Sequence, residues 1–559
     1  METAAIETES TTTVSPSNSS SLRPLWLVLI YFLLAAYLYS FSEYGLNVWD
    51  EGGYANGTLR TLKGEKAMVD FNPSGYLPGR YIYGVLFFKL FGVSIQSLRI
   101  GVILITPAMI FMVYAISRRM MPPGFAFLAA VFMLSAPAMY YNRFFTFFCV
   151  LNLYCLIRCV EGIQPQRYLY LAGAILLSGF FKFEVALFSF LCSAIVFLVQ
   201  FFLLRKKHQN FFKEAGSDFG MGRTKFWISA GLMAIVLILA LSFLMEKNFF
   251  NLAVDMVLGF HQVWGNPFPD LFPWHELGIH EFFQRLLFYI PGLVYLGVAG
   301  FLIKKIIRKN FIKVVDLYIL STLLIGLCAY GLVLWRAGFD NLLRTLPPAY
   351  ILFCYILHLF RDRLFSLSDI PLRGLDVLGV VRKTTINVVT VFLPFLFFYE
   401  MNVNHGFYAG TIGAVRQETV LINMDRMKVY TNPAEAEWVT KVVDRIEIYS
   451  EENDSILALP LNPIFYFLTG RVNPISYDWI LPGMLNEEDE RGVIQQLREN
   501  PPKVIVFVDI PIDGKEDRRL ARYTPLIYSY ILKNYALEEM IGMFQILLPQ
   551  MKDQKTKNF

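Results

Sequence analysis

Two adjacent carboxylates, Asp50 and Glu51, stand directly after an apolar stretch in the run Asn47-Val48-Trp49-Asp50-Glu51-Gly52-Gly53-Tyr54-Ala55. A carboxylate at a membrane boundary is costly unless solvated or put to use. One held there can take a proton from a weak nucleophile. The plainer reading is structural: acidic residues favour the first turn of a helix, so the pair could merely start a helix lying along the membrane surface. Cations able to oppose a developing negative charge follow at Arg80, Lys182 and Arg344, the last two beside apolar runs. Arginine grips phosphate oxygens with a two-pronged fork, and a cation just inside a span usually faces the protein interior. Against this stands snorkelling of long basic side chains to the headgroups. A third group, His261, Trp264, Trp274, His275 and His280, lies in a Pro-rich, aromatic loop. The three histidines match no closed zinc spacing, so no metal site is assigned and they stand only as weak ligand candidates. The two tryptophans suit stacking on a sugar, covering a site against water or anchoring at an interface.

The elements that carry these residues are set by composition. The chain is 55% hydrophobic and only 17% charged over 559 residues, with a mean hydropathy of +0.46. Soluble domains carry about a quarter charged residues, so the expected fold is mainly α: a polytopic helical membrane protein with a small soluble α/β domain at its C-terminal end. About eleven spans of roughly twenty residues fit a hydrocarbon core of about 30 Å. They are Leu25–Tyr39, Leu98–Ser117, Gly124–Tyr141, Phe145–Val160, Tyr168–Phe181, Val185–Leu204, Phe226–Met245, Leu286–Ile303, Leu317–Trp335, Pro347–Phe360 and Ile386–Tyr399. Residues 1–22 read as a disordered cytoplasmic N-terminus, 23–401 as the membrane module and 402–559 as an extracytoplasmic domain.

The formal net charge of +5 does not indicate a nucleic-acid partner, because Lys and Arg cluster in alternate short loops, at Arg118-Arg119, Arg205-Lys206-Lys207, Lys304-Lys305 and Arg382-Lys383 among others. Those loops are cytoplasmic by the positive-inside rule. The opposite side then holds the loops 43–97, 246–285 and 335–346 and the C-terminal domain. All six cysteines fall in or beside spans, which offers neither a disulfide framework nor a CxxC metal site.

Within the tail, 432–450, 463–469, 487–500 and 518–534 read as helices, and 455–459 and 503–509 as short strands. The second, containing Val504-Ile505-Val506-Phe507-Val508, is apolar enough for a strand buried on both faces. Together they make a small layered α/β domain with no Gly-rich phosphate loop.

The segment from Val48 to Arg119 resembles the polytopic GT-C glycosyltransferases, in particular the branch of protein O-mannosyltransferases and lipid A aminoarabinose transferases. The resemblance rests on Asp50-Glu51-Gly52-Gly53-Tyr54-Ala55, on Phe88-Lys89-Leu90-Phe91-Gly92 and on Ser97-Leu98-Arg99. It continues more loosely at Asn142-Arg143, Gly179-Phe180-Phe181-Lys182 and Arg344 with Pro347-Pro348. Two features depart from it. The aminoarabinose branch carries a Glu-Lys pair where this chain has Tyr76-Leu77-Pro78-Gly79-Arg80, and many relatives place an Asp shortly after the arginine equivalent to Arg143, where this chain runs Phe144-Phe145-Thr146.

The resemblance implies transfer of a sugar from a polyprenyl-phosphate donor to a lipid, glycan or protein acceptor in the envelope. In that reading Asp50 is the general base, Glu51 orients it or the acceptor, and the anomeric centre inverts. Arg80, Lys182 and Arg344 hold the donor phosphate, and Tyr54, Tyr76, Tyr81, Arg143, Trp264 and Trp274 line the substrate. No cofactor is certain, a divalent cation being the one left open, and the expected partners besides donor and acceptor are the lipids of a bacterial inner membrane. A transporter or flippase using Lys182 and Glu184, or a non-catalytic assembly scaffold, is the competing class, although no inverted repeat is visible.

Overall fold

The computed structural model describes residues 24–205 apart from 74–75, 137–141 and 163; 265–368 apart from 274, 276 and 309–312; 411–550; and isolated positions at 231 and within 381–399. The expected span Phe226–Met245 and nearly all of Ile386–Tyr399 lie outside the described residues, as do the N-terminal residues 1–22.

The membrane part begins with α1 (Pro24–Tyr39), an apolar helix with outward Leu25, Phe32 and Leu33. Two helices then follow outside the spans, α2 (Asp50–Leu62) and α3 (Pro78–Phe91). The chain re-enters the apolar layer through α4 (Ile95–Ser117), α5 (Pro123–Val131), α6 (Arg143–Glu161), α7 (Pro165–Phe181) and α8 (Phe183–Arg205). After the described chain resumes come α9 (Ile279–Ile307), α10 (Val314–Trp335), the short α11 (Phe339–Thr345) and α12 (Pro347–Ser368). Among the described residues, five helices are long and apolar enough to cross a membrane alone, and α11 with α12 forms a bent pair at 63° that counts as a sixth. Of the other expected spans, Leu25–Tyr39 and the described part of Gly124–Tyr141 coincide with shorter apolar helices, while Tyr168–Phe181 falls on the 17-residue α7, which is in neither group. Helix α8 shows why such a helix seeks lipid: Leu187, Leu191, Ile195, Leu198 and Phe202 make an exposed stripe at helical spacing, while Val185, Cys192 and Val196 are buried. In water that stripe would be left uncovered; in hydrocarbon it is solvated.

The C-terminal part holds α13 (Thr411–Gln417), a hairpin of β1 (Val420–Met424) and β2 (Met427–Thr431), α14 (Pro433–Tyr449) and β3 (Ile456–Leu459). It continues with α15 (Ile464–Thr469), α16 (Glu487–Glu499), β4 (Val504–Phe507), α17 (Pro525–Asn534), β5 (Tyr535–Ile541) and β6 (Phe544–Pro549). Its main sheet has the order β3-β4-β6-β5, with β3 and β4 parallel and the other pairs antiparallel. The two parallel strands are wholly buried, as their unbroken apolar runs require. The two antiparallel hairpins, β1–β2 and β5–β6, add to the two strands that the sequence predicts. Strand β5 carries little signal, since its Leu537, Glu538, Glu539 and Met540 sit at an exposed edge, where the apolar pattern is weak.

Two features fix the C-terminal part against the membrane part. Backbone pairing joins the chain leaving α1 to β2, with Gly45 N–H donating to the Tyr430 carbonyl at 2.9 Å and Tyr430 N–H to the Glu43 carbonyl at 2.7 Å. Close packing does the rest: a Cβ on Gly52 would lie 2.7 Å from Ile464, and one on Gly53 would lie 2.1 Å from the Trp479 ring. The glycines after Asp50-Glu51 thus let α15 and Trp479 press directly on the backbone of α2.

The Arg99 side chain, 2% exposed, reaches from the first turn of α4 to Glu51, also 2% exposed, in a two-pronged pair at 2.6 and 2.7 Å. Its remaining donors bond the carbonyls of Ser42 at 2.6 Å and Gly45 at 2.7 Å. Breaking one member of such a pair leaves a buried charge uncompensated, which costs about 3–5 kcal/mol, whereas replacing both by apolar groups can be near neutral. Arg99→Met should therefore lower the thermal unfolding midpoint in detergent well beyond a surface variant, and adding Glu51→Met should restore much of the loss. Additive losses in the double variant would show that the pair has no energetic coupling.

Candidate active site

Helix α2 begins at Asp50, so the acidic pair does occupy a first turn. Asn47, however, does the capping: its Oδ1 accepts from the backbone N–H of Trp49 at 3.1 Å and of Asp50 at 2.9 Å. Its Nδ2 donates to Asp50 Oδ2 at 3.1 Å. One asparagine thereby holds both the helix end and the carboxylate of Asp50, which is half-buried. Glu51 points elsewhere, into the ion pair with Arg99. The adjacent carboxylates have separate environments, and the charge of Asp50 is felt at Lys182, in the cationic cluster described next.

That cluster gathers at the start of α3 and in the break between α7 and α8. Arg80, 3% exposed, lies with its guanidinium carbon 3.8 Å from the centroid of the Tyr76 ring, 4.5 Å from that of Tyr54 and 5.2 Å from that of Tyr81. The Lys182 ammonium lies 4.2 Å from the same Tyr76 centroid and 3.9 Å from Glu184 Oε1. Two cations on one aromatic ring gain from its quadrupole and repel one another. Lys182 sits between the two helices, outside both spans. Burial pulls its pKa down to about 8; Glu184 and Asp50 oppose that shift, while Arg344 and Arg80 add to it. All four charges thus act on one buried ammonium. Arg344, in the last turn of α11, places its guanidinium 5.0 Å from the Phe145 centroid. Arg80 and Lys182 on one ring, with the charges of Arg344 and Asp50 both felt at Lys182, are suited to an anion with one acidic group nearby.

Tyr54, Tyr76 and Tyr81 are all buried against this cluster, and burial pushes the phenols of Tyr54 and Tyr81 up. Arg143, 2% exposed, lies apart: its guanidinium bonds the Ala136 carbonyl at 3.1 Å, and it lines a small cavity with Ser135, Thr146 and Tyr350. His261, Trp264 and Trp274 lie outside the described residues, as does the side chain of His280. His275 is exposed. Among the described residues, no three His, Cys, Asp or Glu side chains converge as a metal site.

Several contributors carried little sequence signal. Trp479 meets Tyr76 edge-on at 5.7 Å, so the C-terminal part supplies a wall behind the ring that bears both cations. Asp478, beside it and 4% exposed, accepts from Asn56 at 3.0 Å and from Arg60 at 2.8 Å, pinning the far half of α2. Both lie more than 400 residues from their partners, and nothing local announces them. Asn47 and Arg99 were legible in principle, the first as a side-chain acceptor just ahead of a helix, the second as an arginine in the first turn of a span. The segment ahead of α9 is also tied to the C-terminal part, through the Gly265 carbonyl, which accepts from Lys515 and Arg518 at 2.9 Å each.

Residues 81–244 match a family described as dolichyl-phosphate-mannose-protein mannosyltransferase. The fold is similar to that of ArnT from Cupriavidus metallidurans in the apo state, with a TM-score of 0.52 at 12% identity over 94% of this chain and 98% of that one. It is also similar to the same protein bound to undecaprenyl phosphate, with a TM-score of 0.50 at 12% identity over 95% and 99% of the two chains. An Archaeoglobus fulgidus oligosaccharyltransferase aligns with a TM-score of 0.47 at 12% identity, over 95% of this chain and 76% of that one. No curated protein matches. The fold is that of the polytopic GT-C glycosyltransferases.

Because the Lys182 ammonium is the anion-binding form, its grip on an anion falls as pH rises through about 8. A phosphate monoester is close to a dianion by then and loses no charge. Binding of undecaprenyl phosphate, titrated across neutral and alkaline pH, should weaken through that range. In Lys182→Arg the weakening should move to higher pH, because guanidinium stays protonated. Identical alkaline profiles in the two proteins would remove Lys182 from the anion site.

Proposed function

We propose that this chain is a membrane glycosyltransferase that moves a sugar from a polyprenyl-phosphate-linked donor to a hydroxyl of an envelope lipid, glycan or protein. The observation that carries the reading is the buried meeting of Arg80 and Lys182 on the Tyr76 ring with the charge of Asp50 acting on the same ammonium. The fold supports it, as does the binding of undecaprenyl phosphate by the structurally similar ArnT.

In this mechanism Arg80 and Lys182, with Arg344 as a third cation, bind the phosphate of the donor. Asp50, held by Asn47, takes the proton of the acceptor hydroxyl as its oxygen attacks the anomeric carbon. The new C–O bond forms as the bond from that carbon to the phosphate oxygen breaks, the configuration inverts, and the polyprenyl phosphate leaves with the electron pair. The cations stabilise its growing negative charge in a site already shielded from water, where such interactions are strongest. Glu51 acts at one remove: its pair with Arg99 fixes the turn that presents Asp50. No metal is required by this step. The reading includes residues 1–22 and the basic loops on the cytoplasmic side, the membrane module 23–401, and the domain 402–559 outside a bacterial inner membrane.

The test is transfer by the full chain in nanodiscs, using radiolabelled polyprenyl-phosphate sugars and crude envelope acceptors. Asp50→Asn should cut transfer by about 10²- to 10⁴-fold, the usual contribution of a positioned base, with donor binding retained. Arg80→Ala should weaken donor binding itself. Transfer unchanged in Asp50→Asn would take away the base, and failure of every donor to bind would favour a transporter or scaffold.

A further inference from the structure

A second cavity lies on the other side of the start of α2, between the segment 46–49 and the C-terminal part. It measures about 240 Å³, a little under the range of about 300–1,000 Å³ typical of sites for drug-sized ligands. Trp49 and Trp438 contribute indole rings, Asn47, Asn432 and Glu435 contribute polar groups, and Phe544 adds apolar surface. Among the described residues, no lysine or arginine lines it, in contrast to the cationic cluster around Tyr76.

Its parts are held in place. Trp438 packs against the β5–β6 turn, where a Cβ on Gly542, at φ +57°, would come within 2.4 Å of the indole. The Glu435 carboxylate is fixed through Oε2 by the hydroxyl of Thr431 and, at 3.4 Å, by Asn432 Nδ2. Burial, reinforced by Glu418 and Glu51 and opposed by the Thr431 hydrogen bond, pushes the Glu435 carboxyl up to about 7, so near neutrality it can accept or donate a hydrogen bond. Asn47, part of the cavity wall, donates to Asp50 Oδ2 at 3.1 Å. The cavity is therefore one side chain away from the proposed base.

We propose that this cavity, between the start of α2 and α14, is a carbohydrate-binding subsite that seats a sugar ring of the acceptor against Trp49 and Trp438. The proposal rests on the glycosyltransferase reading for the word acceptor alone. A pyranose offers an apolar C–H face and a rim of hydroxyls, matching aromatic faces with amide and carboxyl groups between them. The missing cations argue against a phosphate or a phosphorylated headgroup. Donor and acceptor then approach Asp50 from opposite sides, sorted by charge.

The test uses the full chain in nanodiscs and ligand-observed saturation-transfer NMR. The probes are methyl glycosides of glucose, galactose, mannose and N-acetylglucosamine, with a Ser/Thr-rich peptide in a parallel arm. At least one glycoside should bind saturably. Trp438→Ala should weaken it at least tenfold, Glu435→Gln by a smaller factor, and Trp438→Phe should retain part of the binding, which guards against simple misfolding. Undecaprenyl phosphate binding should be unchanged in all three variants. No glycoside binding, equal binding by Trp438→Ala, or Trp438-dependent binding of the peptide in place of a sugar would each overturn the subsite. Glycoside binding by a protein that binds no polyprenyl phosphate would keep the subsite and remove the transferase reading, so the two failures are distinguishable.

Discussion

The buried pair between Arg99 and Glu51 is the constraint from which the site's geometry descends. A guanidinium and a carboxylate, each almost fully hidden from water, persist there because all three guanidinium nitrogens donate: two bonds to the carboxylate and one each to the Ser42 and Gly45 carbonyls. That network joins the end of α1, the first turn of α2 and the first turn of α4. Asp50 inherits its position from this joint, since the residue next to Glu51 on a rigid helix has little freedom left. Neighbouring carboxylates in the sequence thus divide their labour: one is spent on architecture, and the charge of the other is felt at Lys182.

Charge is distributed around α2 with a clear polarity. Toward Tyr76 lie Arg80 and Lys182; toward α14 lie Glu435 and two amides, with indole rings and, among the described residues, no cation. A buried ammonium whose pKa is pulled down to about 8 is one that gains from the arrival of an anion, because the anion restores the charge state that burial and neighbouring arginines disfavour. A cluster of buried cations and a cavity lined by amide, carboxyl and indole groups, both near the start of α2, would let the proposed transferase sort its two substrates by charge.

The fold is legible in the sequence wherever one physical signal dominates. Apolar runs located α4, α6, α8 and α10 because a span has to satisfy its own backbone and cover itself with hydrocarbon groups. The buried strands β3 and β4 were visible for a related reason. The acidic pair and Arg80 were found as types of residue in the wrong place for their chemistry. Strands β1 and β5 show little alternation because exposed residues dilute it, whereas β2, buried at alternate residues, and β6, paired on both sides, carry an apolar signal that is short and ends in Thr431 or Pro549. The contribution of Trp479 and Asp478 was invisible because their partners, Tyr76, Asn56 and Arg60, are brought to them only by the tertiary fold. The role of Glu51 could not be separated from that of Asp50 without knowing where Arg99 lands.

The glycines of α2 carry one more consequence. Where a helix normally meets its neighbour through side chains, Gly52 and Gly53 let Ile464 and Trp479 rest on bare backbone, a fit at sub-ångström tolerance with no flexible atoms to absorb error. An interface of this kind does not behave as a detachable module. In any chimaera built from two such proteins, the C-terminal domain and the helix bearing the acidic pair form one inherited unit, and a seam drawn at the end of the last span would cut through the active site instead of around it.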